Sequence, residues 1–242
     1  MVGSARSGTT LLRNILRSHD NLVCPEETHF YRWAEAFGSN RFSAHLINSK
    51  VLQKHRKIDG ISEDEFKVIS KKATSKKDLM TLYMHAFMKS NSHKEKRWFD
   101  KTPQNVYRLP LIVHDFPNAQ YIHLVRHPYN VVASLIEGKA IKSPDVFAAA
   151  NFWNEAVSIV NTMRQLLGPR LHELKYEDLL AEPREQLAKL AGFIGVENAF
   201  GKNVIRRIRS ERERHEDILS DSDRKIIFQI CHQTACSYGY TF

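Results

Sequence analysis

Cysteine is scarce in this 242-residue chain: Cys24, Cys231 and Cys236 are all there is, irregularly spaced. A disulfide framework or a cysteine zinc site needs more thiols in tighter patterns, so both are excluded and three reduced core thiols are expected. Long apolar runs are also missing. None approaches the roughly 20 residues of a membrane helix, so no membrane segment is expected. The chain has no internal repeat, low-complexity tract or Pro/Gly-rich linker, which excludes solenoids and marks no boundary. One domain over residues 1–242 is the expectation. No signal peptide precedes the first motif, because Gly3 already belongs to it, and a cytoplasmic protein is expected.

What the chain does have is apolar content and positive charge. Hydrophobic residues make up 42%, enough for a sizeable core, and 26% charged residues argue against disorder. The formal net charge of +9 suits an anionic ligand, nucleic acid or a membrane surface. Charge alone does not choose among them.

Periodicity organises the text. Thr9–Ser18 carries Leu11, Leu12, Ile15 and Leu16 at helical spacing. Asn21–Cys24 reads as a short strand. From about residue 30 to 92 the chain is mostly helical and highly charged, and Asp78–Lys89 is the clearest stretch. This region is expected to be a helical insert that shapes an acceptor cleft. A helix is expected near Asn105–Asp115. Ala119–Val125 is the best strand, and a helix should open at Pro128. Val146–Leu167 reads as a helix, Arg170–Lys175 as a strand and Arg184–Ile194 as a helix, and Ser222–Tyr238 closes the chain. Strands alternating with helices predict an α/β fold, with a P-loop-like central parallel sheet flanked by helices.

Two segments carry anion chemistry. Gly3-Ser4-Ala5-Arg6-Ser7-Gly8-Thr9-Thr10 has the G-x4-G spacing of a phosphate loop and runs straight into a helix. Such a loop turns its N–H groups inward, and the helix N-terminus adds positive potential. A nucleotide P-loop continues with Lys and then Ser/Thr to hold Mg²⁺, but here Thr9 stands in the Lys position and the cation is Arg6. A planar guanidinium with hydroxyls from Ser7, Thr9 and Thr10 suits a short anionic tail better than a metal-bridged triphosphate. The second segment is Arg126, at the end of the best strand, with Ser134 about two turns into the next helix. Ligands of open α/β sheets bind beyond the carboxyl ends of the strands, where both segments should lie.

Taken together, GSARSGTTLLRNIL, FDKTPQNV and YIHLVRHPYNVVASL resemble the PAPS-dependent sulfotransferases, over residues 3 to about 190. The resemblance implies 3′-phosphoadenosine 5′-phosphosulfate (PAPS) as donor, with no metal. It puts Arg6, Ser7, Gly8, Thr9 and Thr10 at the 5′-phosphosulfate and Arg126 and Ser134 at the 3′-phosphate. Tyr176, in LKYEDLL, would contact the nucleotide. Cys24-Pro25-Glu26-Glu27-Thr28 is similar to a segment of the tyrosylprotein branch whose second Glu is the base, which implies that role for Glu27. The branch has Arg where His29 stands, and His29 is the second candidate base. Lys101 and Arg6 complete the candidate catalytic set, Lys101 as the cation that meets charge on the leaving phosphate. Only Met1-Val2 stand where the family's first strand normally lies; if the protein begins there, a weakly anchored loop is expected. The family's late Arg-Lys-Gly segment is missing. Arg206, Arg207, Arg209, Arg212 and Arg214 stand in that region, either as its substitute or as a solvated face.

The expected function is therefore sulfuryl transfer from PAPS to a hydroxyl or amine, giving PAP (the 3′,5′-bisphosphate) and a sulfated product. A P-loop kinase, another nucleotide-binding protein and a non-catalytic PAP-binding protein are the alternatives at this level. Nucleic acid is not an expected partner, because no interleaved aromatic and basic platform is present. Neither the acceptor nor the oligomeric state can be read from the sequence.

Overall fold

A computed structural model describes residues 1–93, 96–138, 143–205, 208 and 215–242. The arginine cluster at 206, 207, 209, 212 and 214 lies outside them.

The apolar spacing after the phosphate loop yields α1 (Thr9–Arg17), which buries Leu12, Ile15 and Leu16. A short strand, β1 (Leu22–Val23), follows. Next come α2 (Asn40–Asn48), α3 (Lys50–Ile58), α4 (Glu63–Lys72) and α5 (Lys76–Ser90). Each starts at a serine, Ser39, Ser49, Ser62 or Ser75, whose hydroxyl accepts a backbone N–H of the first turn. Serine does this because a helix opens with unpaired donors that a short side-chain oxygen can reach. The four helices share an aromatic-rich cluster that includes Phe30, Tyr31, Phe66 and Tyr83. They occupy the span read as a helical insert.

The chain then returns through β2 (Arg97–Trp98), a 3₁₀ turn over Pro103–Arg108 and α6 (Leu109–Asp115). The sequence reads one helix near 105–115. The chain divides there because Pro110 has no N–H to continue the pattern. β3 (Tyr121–Val125) is buried throughout. It feeds α7 (Pro128–Ile136), followed by α8 (Val146–Leu167) and β4 (Leu171–Lys175). The chain ends with α9 (Tyr176–Ala181), α10 (Pro183–Ile194), α11 (Lys202–Ile205), α12 (His215–Ile218) and α13 (Asp221–Cys236). α9 is not foreseen by the sequence pattern, because it starts directly after a strand.

Pairing is parallel throughout: β1 with β2, and β3 with β4. Met1-Val2 joins the two pairs. Val2 bridges to His123, donating its N–H to Ile122 O at 2.8 Å and accepting from Leu124 N at 3.3 Å. The Met1 nitrogen donates to Asp100 O at 2.8 Å. The loop that begins at Gly3 is therefore tied directly to β3 through Val2, so it is not weakly anchored. Helices cover both faces. α1, α9 and α10 pack on one side around Leu124, Leu174 and Leu190, while α7, α8 and α13 enclose Val125, Trp153 and Ile227. Cys24 and Cys231 are buried free thiols as expected, but Cys236 is exposed at the end of α13.

Trp153 connects the core to the strand end. It is fully buried and donates Nε1–H to Arg126 O at 2.9 Å. Trp153→Phe should cost about 2 kcal/mol in urea unfolding, because it leaves that carbonyl without its donor and a void beside it. An unchanged midpoint would show that the carbonyl finds another donor.

Candidate active site

Local backbone chemistry builds the loop. Gly8, with φ 92°, occupies the left-handed region that side chains disfavour, and α1 opens there without a side-chain cap. The first N–H groups of α1 consequently remain for an anion. Gly8 is required for a second reason: a Cβ there would collide with the ring of Tyr176. Tyr176 opens α9, and its ring also carries Arg126, whose guanidinium carbon is 4.4 Å from the ring centroid. Gly8, Tyr176 and Arg126, from three segments, thus meet at one ring. Ser7 is fully buried, and its hydroxyl has no hydrogen-bond partner among the described residues. A donor left so is costly unless a ligand oxygen completes it.

The two anion segments meet. Arg6 Nε donates to Ser134 Oγ at 2.9 Å although 128 residues separate them. Arg6 is exposed and has φ 70°. Its guanidinium thus borders the Arg126–Ser134 group, whereas its place in the loop assigns it to the other end of the nucleotide.

Beside the loop stands an acid–base group. Lys101, only 2% exposed, pairs with Glu27 Oε1 and lies 3.4 Å from Thr10 Oγ1. The other Glu27 oxygen is 3.4 Å from His29 Nε2. Asp100 sets this geometry by accepting from Thr28 Oγ1, Thr102 Oγ1 and Asn105 Nδ2 at 2.9, 3.2 and 3.1 Å. It ties the turn bearing Glu27 to the turn bearing Lys101. α1 grips the same turn through Glu26, which accepts from Arg13 and Arg17, each at 2.9 Å. The Glu27, His29, Lys101 and Thr10 side chains come together here. Arg6, Ser134, Arg126 and Tyr176 form the neighbouring group. The sequence did not single out Asp100, Arg13 or Arg17. Their signal, an Asp directly before Lys101 and arginines one turn apart on α1, is indistinguishable from ordinary surface charge until the contacts are known.

His29 takes the left-handed conformation at φ 57° and is 5% exposed. Burial, with Arg32, His55 and Lys101 around it, pushes its pKa down to about 3. It is therefore neutral at physiological pH. For its Nε2 to carry the hydrogen toward Glu27, Nδ1 must be a bare acceptor, and Nδ1 has no partner among the described residues.

The loop, the sheet and the helices on both faces define a P-loop-like α/β fold. The chain belongs to the sulfotransferase family, whose sequence pattern matches residues 1–200. It is 28% identical over 158 residues to omega-hydroxy-beta-dihydromenaquinone-9 sulfotransferase Stf3 of Mycobacterium tuberculosis, covering 58% of this chain and 40% of that protein. It is 23% identical over 202 residues to protein-tyrosine sulfotransferase A of Caenorhabditis elegans, covering 80% of this chain and 48% of that one. The chain thus spans less than half the length of these two relatives. The fold matches the sulfotransferase domain of the Synechococcus PCC 7002 olefin synthase with a TM-score of 0.72 at 21% identity, covering 100% of this chain and 94% of that one.

A pH dependence follows from His29. In the unfolded chain a histidine titrates near 6.5, while the folded value is about 3. Between those values the unfolded state holds the extra proton, so stability falls as pH falls. The expected loss from this residue is about 2 kcal/mol between pH 7 and pH 5. His29→Asn, which tolerates the left-handed backbone, should remove that part of the slope in urea unfolding. Equal slopes in both proteins would show that His29 is protonated in the fold.

Proposed function

We propose that this chain is a metal-independent sulfotransferase that moves the sulfuryl group of PAPS to an acceptor hydroxyl or amine and releases PAP. The observation that carries the reading is the convergence of two anion-binding groups at one end of the sheet, beside a carboxylate and a buried ammonium. One domain over 1–242, with residues about 30–92 as the acceptor wall, is part of the same proposal.

In this reading Ser7, Gly8, Thr9 and Thr10 hold the 5′-phosphosulfate through backbone N–H groups and hydroxyls. Arg126 and Ser134 hold the 3′-phosphate, and Tyr176 supports Arg126 while closing the loop from beneath. Arg6, in the loop yet touching Ser134, serves the boundary between the two ends. The unpartnered Ser7 hydroxyl and the space kept clear at Gly8 fit such a ligand.

Transfer of a sulfuryl group through a loose transition state is a problem of position and charge. Glu27 takes the acceptor proton while the acceptor oxygen forms its bond to sulfur. The sulfur–oxygen bond to the phosphate breaks, and Lys101 meets the charge that grows on the leaving oxygen. Guanidinium, ammonium, hydroxyl and backbone N–H groups supply all of the positive potential in this scheme. His29, neutral beside Glu27, is the second candidate base. Both relatives are named for hydroxyl-bearing acceptors, which favours a hydroxyl here.

Calorimetry with EDTA present tests the nucleotide site. PAP should bind better than 5′-AMP, and Arg126→Ala should weaken PAP by about 2–4 kcal/mol through loss of a charge-assisted contact. Equal affinity for the two nucleotides would remove the 3′-phosphate site.

The base is tested by turnover. Glu27→Gln should leave PAP affinity nearly unchanged and lower turnover by ~10²–10⁴-fold. Near-normal turnover in Glu27→Gln with complete loss in His29→Ala would transfer the role to His29.

A further inference from the structure

The turn that carries Glu27 is held from a third side, by the insert. Asp59 and His55 lie one turn apart at the end of α3, on the same helix face. The Glu26 N–H donates to Asp59 Oδ1 at 2.8 Å, and His55 Nδ1 lies 2.9 Å from Glu27 O. A carbonyl oxygen only accepts, so His55 Nδ1 carries the hydrogen. Two polar groups of the Glu26-Glu27 backbone are thus clamped by an i, i+4 pair. The His55 ring also lies alongside the His29 ring, at 6.1 Å between centroids and 15° between planes. It therefore holds the carbonyl before Thr28 and backs His29, the residue that takes the left-handed conformation.

The clamp itself is rigid. Tyr83 of α5 donates to Asp59 Oδ2 at 2.7 Å, and Asp59 is 2% exposed. The neighbouring Arg56 donates to both oxygens of Glu63, each at 2.7 Å, and stacks over Phe66 at 4.1 Å. α3 is therefore locked into the insert core, and His55 transmits that position to the backbone of Glu27. Unlike Asp59, His55 is only half-buried, so it can be changed without emptying the core.

We propose that His55 is a positioning residue for the Glu27 carboxylate: its Nδ1–H and its ring fix the Glu27–His29 turn against α3, so the acceptor wall sets where the base stands. The proposal rests on Glu27 acting as base. It gives the insert a second duty, because an acceptor that shifts α3 also shifts Glu27.

The test uses the whole chain with PAPS hydrolysis to PAP and sulfate as the turnover measurement, and PAP calorimetry beside it. His55→Phe keeps a ring but removes the donor; it should lower turnover about 10-fold, the order expected for a slightly misplaced catalytic group. PAP affinity should stay unchanged. His55→Asn, whose amide can donate from the Nδ1 position, should return turnover to within about 3-fold of the original. In a Glu27→Gln background, His55→Phe should have no further effect, because the group it positions is gone.

The proposal is overturned if His55→Asn is as impaired as His55→Phe, or if His55→Phe costs as much in the Glu27→Gln background as alone. A parallel loss of PAP affinity or of urea stability in every His55 variant would likewise reduce His55 to a structural residue. If Glu27→Gln itself hydrolyses PAPS at the original rate, the base assignment fails and takes this proposal with it. If Glu27→Gln is impaired but His55→Phe is not, only the positioning role falls.

Discussion

The pairing of a nearly inaccessible ammonium, Lys101, with the Glu27 carboxylate is the constraint that the surrounding structure serves. Withdrawing two charges from water costs several kcal/mol per ion, and their attraction repays this only when geometry is tight and the remaining donors and acceptors are occupied. Such a pair adds little to stability. Its environment is accordingly dense in fixed contacts: Asp100 between the two turns, Arg13 and Arg17 on Glu26, Asp59 and His55 from the insert. Each hydrogen bond is worth about 1 kcal/mol. Together they hold a carboxylate and an ammonium at a loop already rich in positive potential. The arrangement makes sense where charge must appear and move.

The parts of this design differ in how far they could be read from the amino-acid order. The phosphate loop, α1, β3 and α8 are legible because their signals are local: a glycine spacing, a helical period, an apolar run between turns. Ser134 on α7 is legible because a proline fixes where that helix begins. The contact of Arg6 with Ser134, and of Gly8 with Tyr176, spans more than a hundred residues, and nothing in either segment names the other. The reach of α3 to the Glu26-Glu27 backbone is hidden for the same reason. His55 and Asp59 look like polar residues at the end of a charged helix. The four serine caps of the insert are legible only after the helices are known, since serine is equally at home in turns.

β3 is held from both sides of the sheet by different means. Toward the chain start, Val2 supplies two backbone hydrogen bonds. Toward β4, buried His123 meets Glu173 at 3.1 Å, and Glu173 also accepts from Arg164 and Tyr238. Burial raises the pKa of Glu173, and its bonds to His123, Arg164 and Tyr238 overcome that and bring it down to about 2. The strand whose end carries Arg126 is thus fixed in depth as well as in register. That position matters for a guanidinium resting on the Tyr176 ring.

The close approach of Gly8 to Tyr176 has an evolutionary consequence. The two positions behave as one steric unit: no side chain fits at residue 8 while a large ring lies at residue 176, and the backbone there is left-handed besides. A lineage that acquired a Cβ in the loop would need a smaller residue at 176, would have to tolerate the strained turn, and would lose the ring that carries Arg126. A Cβ gained first meets the ring, and a ring lost first leaves Arg126 without its support. Gly8 is therefore expected to stay frozen for reasons of packing, independently of the acceptor.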